Sequence, residues 1–196
     1  MRTAKYLHLF ELAARKILAT HPVNLERKSK RLLPANSILT REPGQVHAFP
    51  ILKRPSGLGL SGICVTGDDT ILGIAKVTGM DVCKTPEMTA NLDTDLNKKF
   101  ELAAKLLTEH GVVVLHVKGC DIAAHNREAV KKRDFLERID AELGRFLDKW
   151  HGKLRLCITA DHMTWSKEGV HTDDPVLVLL HGRGIRPDSV RGFDEI

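Results

Sequence analysis

A chain of 196 residues, 42% of them hydrophobic, can bury one substantial core with a small element appended to it. Charged residues make up 28% of the sequence and are mixed in sign along most of its length, which excludes a disordered polyelectrolyte and describes an ordinary solvated surface. The net charge of +5 and a pI near 9.1 favour an anionic partner, a phosphorylated metabolite or a nucleic acid, without choosing between them.

Residues 3–19 place Leu7, Phe10, Ala14, Ile17 and Leu18 at helical spacing, an amphipathic helix that stops at His21-Pro22. A second short helix follows, with Asn24 as its N-cap, and Pro34 closes it before a strand-like stretch at residues 37–40. The densest basic run, Arg27, Lys28, Lys30 and Arg31, reads as a solvated face of that helix. From Glu42 to Gly62 the sequence carries Pro43, Gly44, Pro50, Pro55, Gly57 and Gly59, a density of chain breakers that marks a loop or a junction between units. A helical segment over residues 1–45 and a core over residues 46–196 are therefore expected.

The core alternates. An apolar run at 62–66 precedes a helix at 70–78 and a long amphipathic helix at 94–109. Val112 to Val117 is a continuous apolar, β-branched run that predicts a central strand buried on both faces. Between 127 and 150, Leu136, Ile139, Leu143, Phe146, Leu147 and Trp150 step by threes and fours, a long helix packed on one side. Strands at 154–159 and 176–180 follow, and the tail after Gly182 is polar and expected on the surface. The sum is an α/β fold, an open and mostly parallel sheet with helices on its faces.

Cys64, Cys83, Cys120 and Cys157 are far apart and form no zinc knuckle or redox pair. With no signal-like apolar segment and no long uncharged stretch, reduced thiols, a cytoplasmic location and no membrane contact are expected. Metal ligation then falls to histidines and carboxylates.

Those residues gather in three short segments beside the predicted strands: Lys118-Gly119-Cys120-Asp121-Ile122-Ala123-Ala124-His125, then Thr159-Ala160-Asp161-His162, then His171-Thr172-Asp173-Asp174-Pro175. Loops at the carboxyl ends of strands in an open α/β sheet converge on one crevice, so Asp121, His125, Asp161 and His162 can meet there. Carboxylate oxygen and imidazole nitrogen suit zinc, manganese and similar divalent ions. Five such ligands exceed the needs of one tetrahedral ion, and two ions can stabilise both the attacking and leaving oxygens of an in-line displacement. Singly, Asp121 reads as an N-cap, and His125 or His162 as an ordinary surface or core histidine. The weight comes from coincidence: a buried strand ending in an adjacent Asp-His pair sets polar groups where apolar ones are expected, and a second strand end does the same. His116, inside the apolar strand, reads as a hydrogen-bonding group behind the ligands. His8, His21, His47, His110, His151 and His181 read as structural or solvent-facing.

The stretches LHVKGCDIAAHNRE, FLERIDAELG, ITADHMTW and HTDDPVLVLL resemble, in order and spacing, the C-terminal half of archaeal-type 2,3-bisphosphoglycerate-independent phosphoglycerate mutases, members of the alkaline phosphatase superfamily. HPVNLERKSKRLLPANSILTR resembles the segment closing the family's inserted smaller domain, and GICVTGDDTILGIAKVTGMDV its return into the metal-binding core. The resemblance implies an alkaline-phosphatase-like core holding two divalent ions (manganese, zinc, magnesium or cobalt). Asp121, His125 and His171 would bind one, and Asp161 and His162 the other. It further implies that Arg41 holds the substrate's anionic groups and that Lys118 offers a positive charge to the phosphoryl group.

Departures from the family pattern are as informative. The family's N-terminal strand, with a further aspartate ligand and the nucleophilic serine, has no counterpart before Asp121, so the expected fold lacks its N-terminal part. Ser-Thr-Pro after the Asp-His pair is replaced by Met163-Thr164-Trp165, and a family lysine by Leu72 beside Asp68 and Asp69. Thr66, Ser56 and Ser61 show no activating neighbour in sequence and read as loop hydroxyls. The expected function is phosphoglycerate mutase-like phosphoryl transfer between the 2- and 3-positions of glycerate, with a metal-dependent phosphohydrolase or a noncatalytic metal-binding interaction domain as alternatives. The expected partners are a small phosphorylated metabolite and either a separate chain supplying the absent half or a second copy. Nucleic acid is not expected, because no base-stacking aromatics accompany the charge.

Overall fold

The computed structural model describes residues 2–40, 44, 61–150, 152–190 and 192–193. Arg41 and most of the breaker-rich stretch lie outside the described residues. The chain divides into two compact units, Met1–Ala48 and Phe49–Ile196.

The first unit holds two helices, α1 (Arg2–Thr20) and α2 (Pro22–Ser29). Pro22 opens α2, where its missing amide costs nothing, and the His21 ring accepts from the Val23 amide. His21, and not Asn24, is thus the N-cap. Asn24 is buried within α2, where its Nδ2 donates to the Leu18 and Ala35 carbonyls (2.8 and 2.7 Å) and its Oδ1 accepts from the Ala35 amide. Its amide fastens the end of α1 and the chain after α2 to one point, which is why a capping residue type sits mid-helix. Residues 37–40, expected as a strand, adopt no regular structure, since no described strand of this unit is there to pair with them.

The second unit is built on a three-stranded parallel sheet ordered β2 (Asp81–Cys83), β1 (Gly62–Val65), β3 (Val112–Leu115). Helix α3 (Asp69–Val77) follows β1, capped by Asp68 on the Thr70 amide, and α4 (Leu96–Leu106) precedes β3, capped by Asp95 on the Lys98 amide. Ile63, Val65, Met88 and Leu106 form the core, with Val113 and Leu115 packed against them. The sequence predicts β3 as the central strand buried on both faces; among the described residues β1 is central and β3 is an edge. Val112 and Val114 are 45% and 41% exposed because Val113 and Leu115 alone face the core. A continuous apolar run signals burial only where something covers each face.

After β3 come α5 (Gly119–His125) and α6 (Ala129–Trp150). Gly119 lies against α6: a Cβ there would stand 2.5 Å from the Phe135 ring, so the missing side chain is what lets α5 start where it does. Strands β4 (Arg155–Thr159) and β7 (Val178–Gly182) pair antiparallel in a sheet of their own, and β5 (Met163–Trp165) with β6 (Val170–Thr172) makes an antiparallel hairpin. The parallel sheet is therefore smaller than the mostly parallel one expected, although the α/β class with flanking helices stands. The four cysteines are free, and no helix among the described residues is long and apolar enough to cross a membrane.

Lys99 on α4 is 1% exposed, and its ammonium reaches the Thr89 and His116 carbonyls at 3.4 and 3.3 Å without a carboxylate partner among the described residues. Burial pushes its pKa below the ordinary 10.5. The unfolded chain then binds more protons than the folded one between the lowered value and 10.5, so stability rises with pH across that window. Denaturant titrations of the wild type and Lys99→Met from pH 7 to 10.5 are expected to show the wild type gaining relative stability, by roughly 1.4 kcal/mol per unit of depression. A difference independent of pH would contradict the account.

Candidate metal centre

Asp121 and His125 stand four residues apart on one face of α5, directly after β3. The β5–β6 hairpin brings His171 across from Thr164 and lays both against them. His125 Nε2 lies 2.9 Å from His171 Nε2 and 3.2 Å from Asp121 Oδ1, while His171 Nε2 lies 3.7 Å from the same oxygen. The other His125 nitrogen, Nδ1, is 2.8 Å from the Gly169 carbonyl, which can only accept, so Nδ1 carries the hydrogen and Nε2 presents its lone pair to the cluster. Gly169 turns the hairpin at φ +70, and a Cβ on it would come within 2.7 Å of the His125 carbonyl. Glycine is required there both for conformation and for close approach. A neutral His125 thus meets Asp121 Oδ1 acceptor to acceptor. A hydrogen on His171 Nε2 or a cation bound among the three atoms can relieve that contact.

Thr164, buried in β5, joins His162 to the group. Its hydroxyl donates to Asp121 Oδ1 at 2.8 Å and lies 3.1 Å from His162 Nδ1. With its single hydrogen committed to the carboxylate, the hydroxyl accepts from Nδ1–H, which leaves His162 Nε2 free to ligate. The His162 ring lies over that of His171, centroids 3.7 Å apart, and Asp121, His162 and His171 offer ligand atoms within 4.8 Å of one another. Asp161 is different: it is 78% exposed on its side chain, and its carboxylate is 3.6 Å from His162 Nε2. The structure thus gathers Asp121, His125, His162 and His171 tightly and sets Asp161 at the rim.

Lys118 Nζ lies 3.2 Å from Asp121 Oδ2 and 3.7 Å from Asp68 Oδ2, bridging the two carboxylates. Burial opposes ionisation of Asp121, but the Thr164 hydroxyl and the Lys118 charge outweigh it and hold the carboxyl below its usual range. Asp68 behaves likewise, with burial countered by the Thr70 and Ile71 amides and by Lys118. His116 is half-buried, its Nδ1 2.8 Å from Thr66 Oγ1; burial above all pushes its pKa down, with Lys99 and Lys118 adding to the effect. Thr66 does have an imidazole neighbour, then, but it is fully buried and already accepts from the Asp68 amide, so its role is to tie the exits of β1 and β3 together. Sequence reasoning missed Thr164, Asp68 and Gly169. The proximity of Thr164 to an Asp-His pair was its one sequence signal.

Residues 3–194 match the sequence profile described as the metalloenzyme superfamily, and the chain belongs to that superfamily. Membership implies divalent-metal binding, for which the donor set described above is suited. Within it the chain is similar to archaeal cofactor-independent phosphoglycerate mutases. The 2,3-bisphosphoglycerate-independent phosphoglycerate mutase of Methanopyrus kandleri is 39% identical, with 100% of this chain and 46% of that protein covered. That of Methanoculleus marisnigri is 36% identical over 100% of this chain and 46% of its own length. Among solved structures, the PH0037 protein of Pyrococcus horikoshii superposes with a TM-score of 0.86 at 30% identity, covering 99% of this chain and 51% of that one. The cofactor-independent phosphoglycerate mutase of Thermoplasma acidophilum does so at 0.57 and 28%, covering 100% and 46%. The chain spans about half the length of the curated relatives it matches. The family resemblance and the alkaline-phosphatase-like α/β class expected from the sequence are borne out.

Thr164→Val keeps the volume and removes the hydroxyl that orients Asp121 and His162. It is expected to weaken Zn²⁺ binding by about 10- to 100-fold in calorimetric titration, with Thr164→Ser restoring most of it. Unchanged affinity in the valine variant would remove Thr164 from the site.

Proposed function

We propose that this chain carries the metal-binding portion of a phosphoglycerate mutase-type phosphoryl-transfer centre, acting between the 2- and 3-positions of glycerate when the portion bearing a nucleophile is present. Asp121, His125 and His171 hold one divalent ion; Asp161 and His162 contribute to a second, whose shell needs ligands from elsewhere. Manganese, zinc, magnesium and cobalt all suit this oxygen and nitrogen donor set. Bound there, such ions polarise phosphoryl oxygens and stabilise charge as it develops. Lys118 places a positive charge beside that position, and Arg41 is assigned the substrate's anionic groups. The single observation that carries the reading is the crowding of Asp121 Oδ1, His125 Nε2 and His171 Nε2 within 2.9–3.7 Å, with the second His125 nitrogen already committed.

Metal titration and product analysis with 3-phosphoglycerate test this together. The chain is expected to bind Zn²⁺ or Mn²⁺, and Asp121→Ala or His171→Ala to weaken binding at least 100-fold. Formation of 2-phosphoglycerate is expected only when a polypeptide bearing the other half of a relative is added. Free phosphate as the product would indicate a phosphohydrolase instead. Absence of metal binding would overturn the proposal.

A further inference from the structure

Near its start α6 carries Lys131, Lys132 and Arg133, and its first turn holds no acidic residue, so positive charge gathers at the end of the helix where the backbone dipole disfavours it. Two of the three are answered locally: Lys131 pairs with Glu128 at 2.6 Å and Arg133 with Asp134 at 2.6 Å. Lys132 is answered elsewhere. Its side chain is half-buried, and Nζ donates to the Thr164 carbonyl 3.1 Å away, a contact that spans 32 positions of sequence. The ammonium thus leaves the helix surface to hold a backbone carbonyl of β5.

That carbonyl belongs to the residue whose hydroxyl donates to Asp121 Oδ1 at 2.8 Å and lies 3.1 Å from His162 Nδ1. A β-branched side chain has few χ1 positions open to it, so where the backbone of Thr164 is held, its hydroxyl is held. The β5–β6 hairpin, with strands of three residues, is too short to do this by itself. Helix α6 supplies the support. Phe135, buried and one turn beyond Lys132, lies where a Cβ on Gly119 would stand 2.5 Å from its ring, which fixes the separation of α6 from α5. Asp121 rides on α5, and Thr164 is tied to α6 through Lys132. Both ends of the hydrogen bond between Asp121 and Thr164 are therefore set by one helix, through neighbouring side chains on one of its faces. We propose that Lys132 is a positioning residue of the metal centre: by holding the Thr164 carbonyl it fixes the Thr164 hydroxyl between Asp121 and His162, which keeps Asp121 aimed at the ion and the His162 hydrogen on Nδ1. It acts through Thr164 and not on the ion. The first of these consequences rests on the metal-binding reading above; the second is a property of the metal-free chain, so the two fail separately.

NMR of the His162 ring nitrogens in the metal-free chain, at about pH 8 and so above the ordinary titration range of imidazole, reads the tautomer directly. The wild type is expected to hold the hydrogen on Nδ1, Lys132→Met to populate both tautomers, and Lys132→Arg to return to the wild-type pattern. In calorimetric titration Lys132→Met is expected to weaken Zn²⁺ binding about 10-fold, with Lys132→Arg restoring most of it and Lys131→Met, at the exposed neighbour, changing it less than about two-fold. Because the effect runs through the hydroxyl, Lys132→Met is expected to add less than about two-fold in the Thr164→Val background. Should Lys132→Met not fold, Lys132→Gln, whose amide falls one bond short of the carbonyl, takes its place. An unchanged tautomer in the methionine variant, an additive loss of affinity in the double variant, or no rescue by arginine would each overturn the inference. A tautomer that depends on Lys132 in a chain that binds no Zn²⁺ keeps the hold on Thr164 and removes the metal-binding function.

Discussion

Asp121 Oδ1, His125 Nε2 and His171 Nε2 are held within 3.7 Å of one another, a convergence of ligand-type atoms that a cation among them would satisfy, and the local structure of the second unit serves to hold them so. Asp121 and His125 share a face because α5 begins at Gly119, and α5 begins there because a glycine lets it lie against Phe135. His125 is turned by the Gly169 carbonyl, and His171 is delivered by the same hairpin whose turn Gly169 forms. Thr164, paired with His171 in the register of that hairpin, orients Asp121 and His162 at once. A hairpin of three-residue strands, marginal by itself, is thus fastened to the core through side chains that converge on the site.

The rest of the electrostatics follows from that demand. Lys118 lies between Asp68 and Asp121, and the depressed pKa of each carboxyl keeps both ionised at neutral pH. Two carboxylates and a lysine close to an imidazole cluster form a mixed field in which a phosphorylated anion and a metal cation can both be accommodated. The basic pI of the chain is compatible with this but does not identify it, because the basic run at Arg27 to Arg31 belongs to the other unit.

Much of the fold was legible from periodicity. The helices at the N-terminus, at 94–109 and at 127–150 appear within a few residues of their expected bounds, since each has a long apolar stripe. Strand β3 lies where its apolar run predicts but in a different setting: such a run encodes burial on both faces, and the described residues cover only one. Strands β2, β5 and β6 escaped notice because three residues cannot display a period. At the site, histidines and aspartates stood out as polar groups at the ends of apolar strands. Thr164 and Gly169 did not, since a hydroxyl and a carbonyl acquire their roles only from the β5–β6 register. Asn24 shows the converse error, a capping residue type used as a buried clamp.

X-ray absorption at the zinc edge of the loaded chain tests the central claim most directly, since it reports the atoms around the ion whether or not turnover occurs. The expected shell contains at least two imidazole nitrogens and one carboxylate oxygen at about 2.0–2.2 Å, lost on substitution of Asp121. A shell of water oxygens without imidazole scattering, or thiolate sulfur at about 2.3 Å from the free cysteines, would contradict it.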